Sequence, residues 1–200
     1  PRIAGRGGRL IRRRLAFLLS AVGSPFVVLP LFWLALIARE TETSEEFWFW
    51  SLVSIGFTTG IPAAYVLYQV WAGRLTDVHV RLREQRRGPF RVALFAAVAL
   101  LGVMLAFQAP RPLVAVTLAM LFTGVVFALI SRVWKISLHT GMLSCCLTSG
   151  VILLGWPPSC HMLVPPLVWA RAERGRHLPS QGVAGWLIGS LTTTLVLQLL

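Results

Sequence analysis

Long runs of apolar residues alternate with short polar segments along almost the whole chain. A helix that crosses the hydrocarbon core of a bilayer needs about 20 apolar residues, and several runs have this length. The runs lie at 15–38, 47–71, 91–108, 113–130, 139–155, 161–171 and 181–200. The sixth run is short and contains Pro165 and Pro166, so we expect it to be kinked, buried in protein, or joined to the fifth run as a broken pair. The pattern predicts an all-α, polytopic membrane bundle of six or seven helices.

The runs leave no room for a separate soluble domain, and no internal repeat connects them. We predict a basic N-terminal segment, residues 1–14, followed by a single transmembrane helical domain, residues 15–200. The three arginines at 12–14 before an apolar stretch are also a feature of signal peptides, but the run 15–38 is too long for one. It is predicted to be a spanning helix.

Composition supports a membrane protein. Hydrophobic residues make up 56% and charged residues 13% of the chain, and the mean hydropathy is +0.73; soluble domains are about a quarter charged. The net charge of +12 lies on arginines between apolar runs, so we expect membrane lipids as partners and no nucleic acid. Cys145 and Cys146 lie inside an apolar run, and we interpret all three cysteines as packing residues, without a metal site or a required disulfide.

Basic residues are distributed unevenly between the two ends of the predicted bundle. The N-terminus and the loops after the second, fourth and sixth runs are rich in arginine, whereas the opposite loops keep only Arg39 and Arg111. With seven crossings, the positive-inside rule places the basic face in the cytoplasm of a multi-pass cell-membrane protein. Arginines that bind phosphate would add to the basic count on whichever side a site lies, which leaves the opposite orientation open.

The loop after the sixth run contains the most distinctive polar segment, at 170–181. Five residues separate Arg171 from His177, and three separate His177 from Gln181. If Pro179 lies in the first turn of the next helix, His177 and Gln181 fall near one face of its start, and Arg171 lies across a tight turn at Gly175. This geometry could hold an anion between a guanidinium and an imidazole.

Together with Ser137 and His139, this segment resembles the signature of the type-2 phosphatidic acid phosphatase family, which is related to vanadium haloperoxidases. The family pattern is Lys-x6-Arg-Pro, then Pro-Ser-Gly-His, then Ser-Arg-x5-His-x3-Asp. The third part keeps the spacing of Arg171 and His177, with Ala170 in place of serine and Gln181 in place of aspartate.

The other two parts are more altered. In the second part, Ser137 and His139 remain, with Ile136 in place of proline and Leu138 in place of glycine. The first part would begin at Arg81 and end at Gly88-Pro89, which leaves Arg83, Arg86 or Arg87 to supply the missing charge. The resemblance therefore extends from about residue 77 to the C-terminus in order and spacing.

The resemblance implies a metal-independent membrane lipid phosphatase without a cofactor. Such an enzyme hydrolyses a phosphomonoester or diphosphate of a lipid, of the phosphatidic acid or polyprenyl phosphate type, through a phosphohistidine. It needs a nucleophile, an acid for the leaving oxygen, and positive charge around the phosphoryl oxygens. The implied catalytic residues are His177 as nucleophile, His139 as general acid and Gln181 as the residue that orients His177. The implied substrate-binding residues are Arg171, Ser137, Arg81, Arg87 and Lys135.

Other interpretations of these residues remain open. His177 and His139 are also compatible with polar residues at helix ends, and Lys135 with an anchor at the headgroup level. The principal alternative function is a non-catalytic family member that binds anionic lipid or lipid phosphate. Gln181 favours this alternative, because a glutamine carbonyl can orient a histidine but does not stabilise its cationic form as a carboxylate does. A transporter or prenyltransferase is less well supported, since no paired-aspartate motif and no buried acid relay are present.

Overall fold

A computed structural model of the chain describes residues 4–77, 80, 82 and 84–200, with side chains described from residue 8 onward except at residue 84. The described residues form helices and no strands, which confirms the predicted all-α class. The α-helices are α1 (Ala4–Val22), α2 (Pro25–Glu40), α3 (Ser44–Ile55), α4 (Ile61–Trp71), α5 (Arg87–Ala106), α6 (Arg111–Ile130), α7 (Leu138–Leu154), α8 (Val164–Glu173) and α9 (Pro179–Leu199).

Full-length spans are fewer than the six or seven predicted. Helices α3 and α4 are joined by a π-helical turn, Gly56–Gly60, into one stretch of 28 residues, Ser44–Trp71. This stretch and helices α5, α6 and α9 are long and apolar enough to cross a membrane, and the bent pair α1–α2 is a fifth candidate within the described residues. Helix α7 has 17 residues and α8 has 10. At 1.5 Å per residue, α8 is about 15 Å long, half of a bilayer core.

The first predicted span is divided into two helices. Residues 15–38 were expected to form one helix, but α1 ends at Val22 and α2 begins at Pro25, with a bend of 46° between them. The ring of Pro25 disfavours a helical conformation at Ser24, which is extended at φ −70° and ψ 140°. Helix α1 also continues across residues 14 and 15, where the sequence predicts the boundary between the basic N-terminal segment and the transmembrane domain. It packs on α8 instead of continuing α2, and Arg12 forms an ion pair of 2.9 Å with Glu173.

The sixth predicted span is a broken return segment. Helix α7 ends at Gly155, whose φ of +71° favours glycine, and a short 3-10 helix, Pro158–Leu163, follows. Helix α8 then begins with Pro165 and Pro166 in its first turn, where their missing N–H groups are not needed. The expectation of a short segment joined to the fifth run as a broken pair agrees with this arrangement.

Helices α7 and α9 approach closely through glycines. A Cβ atom on Gly185 would lie 2.6 Å from the carbonyl oxygen of Ser137, and one on Gly189 would lie 2.6 Å from that of Gly141. Glycines spaced four residues apart allow helix backbones to approach in membrane proteins. Ser144 and Ser190 hold the same contact with a 2.6 Å hydrogen bond between their hydroxyls. This packing fixes the start of α7 beside the start of α9, where the candidate site lies.

Candidate functional site

The three motif segments lie at one end of the bundle. The segment before α5, the start of α7 and the turn after α8 meet there, next to the start of α2. A cavity of about 210 Å³ lies there and is lined by residues from all of these segments. Its polar lining residues include Arg86, His139, Arg171 and His177. The two histidines and Arg171 thus meet at one cavity, as the spacing of the motifs predicts.

The spacing between Arg171 and His177 follows from the way α8 ends. Gly175 has a φ of +60°, and its N–H donates to the carbonyl oxygen of Ala172 at 2.8 Å. The N–H of Arg176 donates to the carbonyl oxygen of Arg171 at 3.0 Å. These two bonds form a Schellman motif, in which the chain reverses after the helix. The N–H of His177 donates to the same carbonyl at 3.3 Å, so the turn holds His177 next to Arg171.

Gln181 fixes the protonation pattern of the His177 ring. Pro179 is the first residue of α9, as predicted, and Gln181 lies in its first turn. The side-chain oxygen of Gln181 lies 3.0 Å from the N–H of Leu178 and 3.2 Å from Nδ1 of His177. Because a backbone N–H only donates, this atom must be the amide oxygen, and Nδ1 of His177 must carry the hydrogen that it accepts. The other ring nitrogen, Nε2, therefore keeps its lone pair.

His177 is held in the neutral form. It is buried, and burial lowers its pKa from the ordinary value of 6.5 to about 3, with further lowering by the positive charges of Arg86, Arg171 and Lys135. The hydrogen bond to Gln181 acts in the opposite direction but does not compensate. At neutral pH the ring is thus unprotonated at Nε2, which is the form required of a nucleophile.

Arg171 connects the second and third motifs. Its side chain is 3% exposed, Nη1 donates to Oγ of Ser20 at 2.8 Å, and the same nitrogen lies 3.3 Å from Nε2 of His139. Since a guanidinium only donates, His139 accepts through Nε2. The Nε atom of Arg171 is buried without a hydrogen-bond partner.

Arg86 is the positive residue that the first motif contributes to the cavity. It is 6% exposed, and it donates from Nε to the carbonyl oxygen of Val80 at 3.2 Å and from Nη1 to that of Ile136 at 3.0 Å. The sequence leaves Arg83, Arg86 or Arg87 to supply the charge of the motif arginine, and the prediction of Arg87 as the substrate-binding residue does not agree with the lining of the cavity. Arg87 is exposed and does not line the cavity. Arg81 and Arg83 lie outside the described residues.

Ser137 and Lys135 are near the cavity but do not line it. Ser137 is fully buried, its N–H donates to the carbonyl oxygen of Gln181 at 3.3 Å, and its hydroxyl is without a hydrogen-bond partner. It joins the start of α7 to the start of α9. Lys135 is half-buried and close enough for its charge to lower the pKa of His177. Its predicted contact with a phosphate stays a prediction.

The cavity combines positive charge with apolar walls. Within the described part of the chain, ion pairs join Arg12 to Glu173 and Arg176 to Asp77, and neither Arg86 nor Arg171 contacts a carboxylate. Two buried guanidinium groups without an anionic partner carry a large desolvation cost. Away from them the lining is apolar, with residues from α2, α4, α5 and α6 that include Leu29, Val66, Leu94 and Met120. The described residues contain no cluster of three or more His, Cys, Asp or Glu side chains that could hold a metal ion.

Comparison with family models, with curated proteins and with solved structures gives no match to this chain. The chemistry of the cavity suits an amphiphile with an anionic end near Arg86 and Arg171 and an apolar body along the helix walls.

Proposed function

We propose that the chain is a membrane lipid phosphatase that hydrolyses a phosphomonoester or diphosphate of a lipid, of the phosphatidic acid or polyprenyl phosphate type, through a phosphohistidine. The observation that carries this proposal is the pair of buried guanidinium groups, Arg86 and Arg171, at the polar end of an apolar cavity. Neither has a carboxylate partner among the described residues, so a phosphate would supply the missing negative charge. The cavity's apolar walls would receive the lipid chain.

The first chemical step is the transfer of the phosphoryl group to His177. Nε2 of His177, which keeps its lone pair, forms a bond to phosphorus, while the bond from phosphorus to the lipid oxygen breaks. The lipid phosphate binds as the monoanion and gives its proton to Nε2 of His139, which it frees from Arg171, and His139 passes this proton to the leaving oxygen. Arg171 and Arg86 stabilise the negative charge on the phosphoryl oxygens.

The second step is hydrolysis of the phosphohistidine. A water molecule attacks phosphorus and gives a proton to His139, and the bond between phosphorus and Nε2 breaks. This step returns His177 to its neutral form and releases inorganic phosphate. The carbonyl of Gln181 keeps the ring in one orientation through both steps by accepting from Nδ1 at 3.2 Å.

A second candidate is a non-catalytic protein that binds anionic lipid or lipid phosphate in the same cavity. The neutral Gln181 favours it, because the cationic ring of a phosphohistidine would lack a carboxylate partner at Nδ1. Both candidates use Arg86 and Arg171 in the same way. They differ only in whether a phosphate–oxygen bond is broken.

We also propose that this multi-pass protein lies in the cell membrane, with the basic end that holds the cavity on the cytoplasmic side. The apolar helices support the membrane location, and the arginine-rich loops support the orientation. The lipid substrate would reach the cavity from the same leaflet.

A phosphate-release assay on the purified protein tests the proposal. Short-chain phosphatidic acid and a polyprenyl phosphate are incubated with the protein in EDTA, and His177→Ala is compared with His161→Ala. His161 does not line the cavity, so it is a matched control for the loss of an imidazole. We expect release by the wild-type protein and by His161→Ala, no release by His177→Ala, and an acid-labile phosphoprotein that depends on His177. Binding of these lipids without release would select the non-catalytic candidate, and neither binding nor release would contradict both.

A further inference from the structure

A second basic groove lies beside the cavity, between the start of α5 and the end of α6. It has a volume of about 630 Å³, and four of its lining residues are Arg87, Arg91, Ser131 and Arg132. Arg86, Phe90 and Leu94 line both the groove and the cavity. The two spaces therefore share a wall but present different arginines.

The three outer arginines converge without neutralisation. Arg87 and Arg91 are four residues apart on α5, so they lie on one face of that helix, and Arg132 reaches the same groove from the end of α6. All three are exposed, and no carboxylate pairs with them in the described part of the chain. Like charges at this spacing repel each other. An anion between them would remove that repulsion.

Ser131 provides an observation independent of the charges. The residue is 8% exposed, and its hydroxyl is buried without a hydrogen-bond partner. Buried hydroxyls in folded proteins nearly always have a partner. Because Ser131 lines the groove, a rotation of its side chain toward the groove would let this hydroxyl donate to an oxygen of a bound anion.

Part of the groove is apolar. Phe90, Leu94 and Ala128 also line it. On the same helices, Phe95 is 73% exposed and Leu129 is 52% exposed, as expected of side chains that face acyl chains. Free phosphate would use only the charged part of this surface, whereas a phospholipid would use both parts.

We infer that the groove between α5 and α6 binds the headgroup of an anionic glycerophospholipid, with its phosphate at Arg87, Arg91, Arg132 and Ser131. The acyl chains lie over Phe90, Leu94 and the outer faces of α5 and α6. This site is separate from the proposed phosphatase cavity, and its occupancy does not depend on whether that cavity is catalytic. Arg86 is common to both walls, so a lipid in the groove contacts a side chain that also contacts the cavity.

Binding of dioctanoyl phosphatidylglycerol to the detergent-purified full chain, followed by native mass spectrometry and thermal shift, tests this inference. The variants are Arg91→Gln/Arg132→Gln and Ser131→Ala, and the matched control is Arg13→Gln/Arg14→Gln, two exposed arginines outside the groove. Because hydrogen bonds to charged groups contribute strongly to affinity, we expect the loss of two arginines to raise the Kd for phosphatidylglycerol at least about tenfold. Ser131→Ala should weaken it by about threefold or more without a change of charge, and the control should bind as the wild type does.

Three outcomes would overturn the inference. One is equal weakening by the control variant, which would mean that only the total charge matters. Another is wild-type affinity for phosphatidylglycerol in both groove variants. The third is full competition by inorganic phosphate at the same concentration as the lipid, which would assign the groove to a free anion. If the double variant does not fold, Ser131→Ala and Arg132→Gln are tested alone under the same criteria, and zwitterionic dioctanoyl phosphatidylcholine, which has no net charge, serves as the reference lipid.

Discussion

Replacing Gln181 with glutamate tests the relation between this residue and His177. Glutamate has the same length as glutamine, so it keeps both acceptor contacts, at 3.2 Å to Nδ1 of His177 and 3.0 Å to the N–H of Leu178. The change adds one negative charge next to a ring whose pKa burial and positive neighbours lower to about 3. The perturbation is therefore electrostatic, with little change of shape.

The expected magnitude follows from the hydrogen bond that becomes charge-assisted. Such bonds contribute about 1.5–3 kcal/mol, and one pKa unit corresponds to about 1.36 kcal/mol. The pKa of His177 should then rise by about one to two units, and the ring stays neutral at pH 7. The same energy applied to the cationic ring that forms during phosphoryl transfer would increase the rate of transfer to His177, and with it turnover, by about 10- to 100-fold if that step is rate-limiting.

Histidine NMR titration and phosphate release measure the two effects separately. Gln198→Glu is the matched control, because it adds the same charge at the far, exposed end of α9. Gln181→Asp should give a smaller effect, since its side chain is one methylene shorter. A folded Gln181→Glu variant in which neither the pKa of His177 nor the rate changes would refute the role assigned to Gln181. A raised pKa without turnover would leave the electrostatic argument intact and favour the non-catalytic candidate.

Three further predictions concern stability and orientation. Because the pKa of His177 is lowered in the folded state, its neutral form stabilises the fold above pH 6.5, and this stabilisation is lost as the pH falls from 6.5 to about 3. The expected loss in the free energy of unfolding is on the order of 4 kcal/mol. It should be absent in His177→Gln when unfolding is measured across this pH range. Gly185→Ala should destabilise the protein by about 1–3 kcal/mol, because its Cβ would meet the Ser137 carbonyl, whereas Gly102→Ala, with nothing within 4 Å, should be neutral or stabilising in the same thermal unfolding assay. With Cys160 replaced by serine, cysteine at Glu42 should react with an impermeant reagent in intact cells and cysteine at Arg74 should not; the reverse pattern would place the basic end outside.

The local part of the site was predictable from the sequence. Pro179, Gly175 and the spacing of Arg171, His177 and Gln181 define a helix end, a turn and a helix start. Each of these features depends on residues within a few positions of each other. The hydrogen bonds around His177 therefore follow from short-range geometry, and the sequence contains the signals for it.

Other features depend on contacts between distant segments. The choice between Arg86 and Arg87 depends on where the turn before α5 begins, and a change of one residue rotates a side chain by about 100° around a helix. The contact of Ser20 with Arg171 joins residues 151 positions apart, and no spacing rule predicts it. The break at Gly23-Ser24-Pro25 was visible as a helix-breaking sequence, but the length of the apolar run led to the wrong prediction of one helix.

The π-helical turn Gly56–Gly60 has a consequence for the apolar wall of the cavity. A π-helical turn contains one more residue than an α-helical turn, so the residues after it are displaced by about 100° around the helix axis. Thr58 within the turn and Pro62 and Val66 beyond it all line the cavity. The orientation of these side chains therefore depends on the extra residue in the π-helical turn. Deleting a single residue from Gly56–Gly60 would return Ser44–Trp71 to α-helical register and rotate Pro62 and Val66 away from the cavity. One inserted residue in a helix thus determines which side chains form this part of the apolar wall.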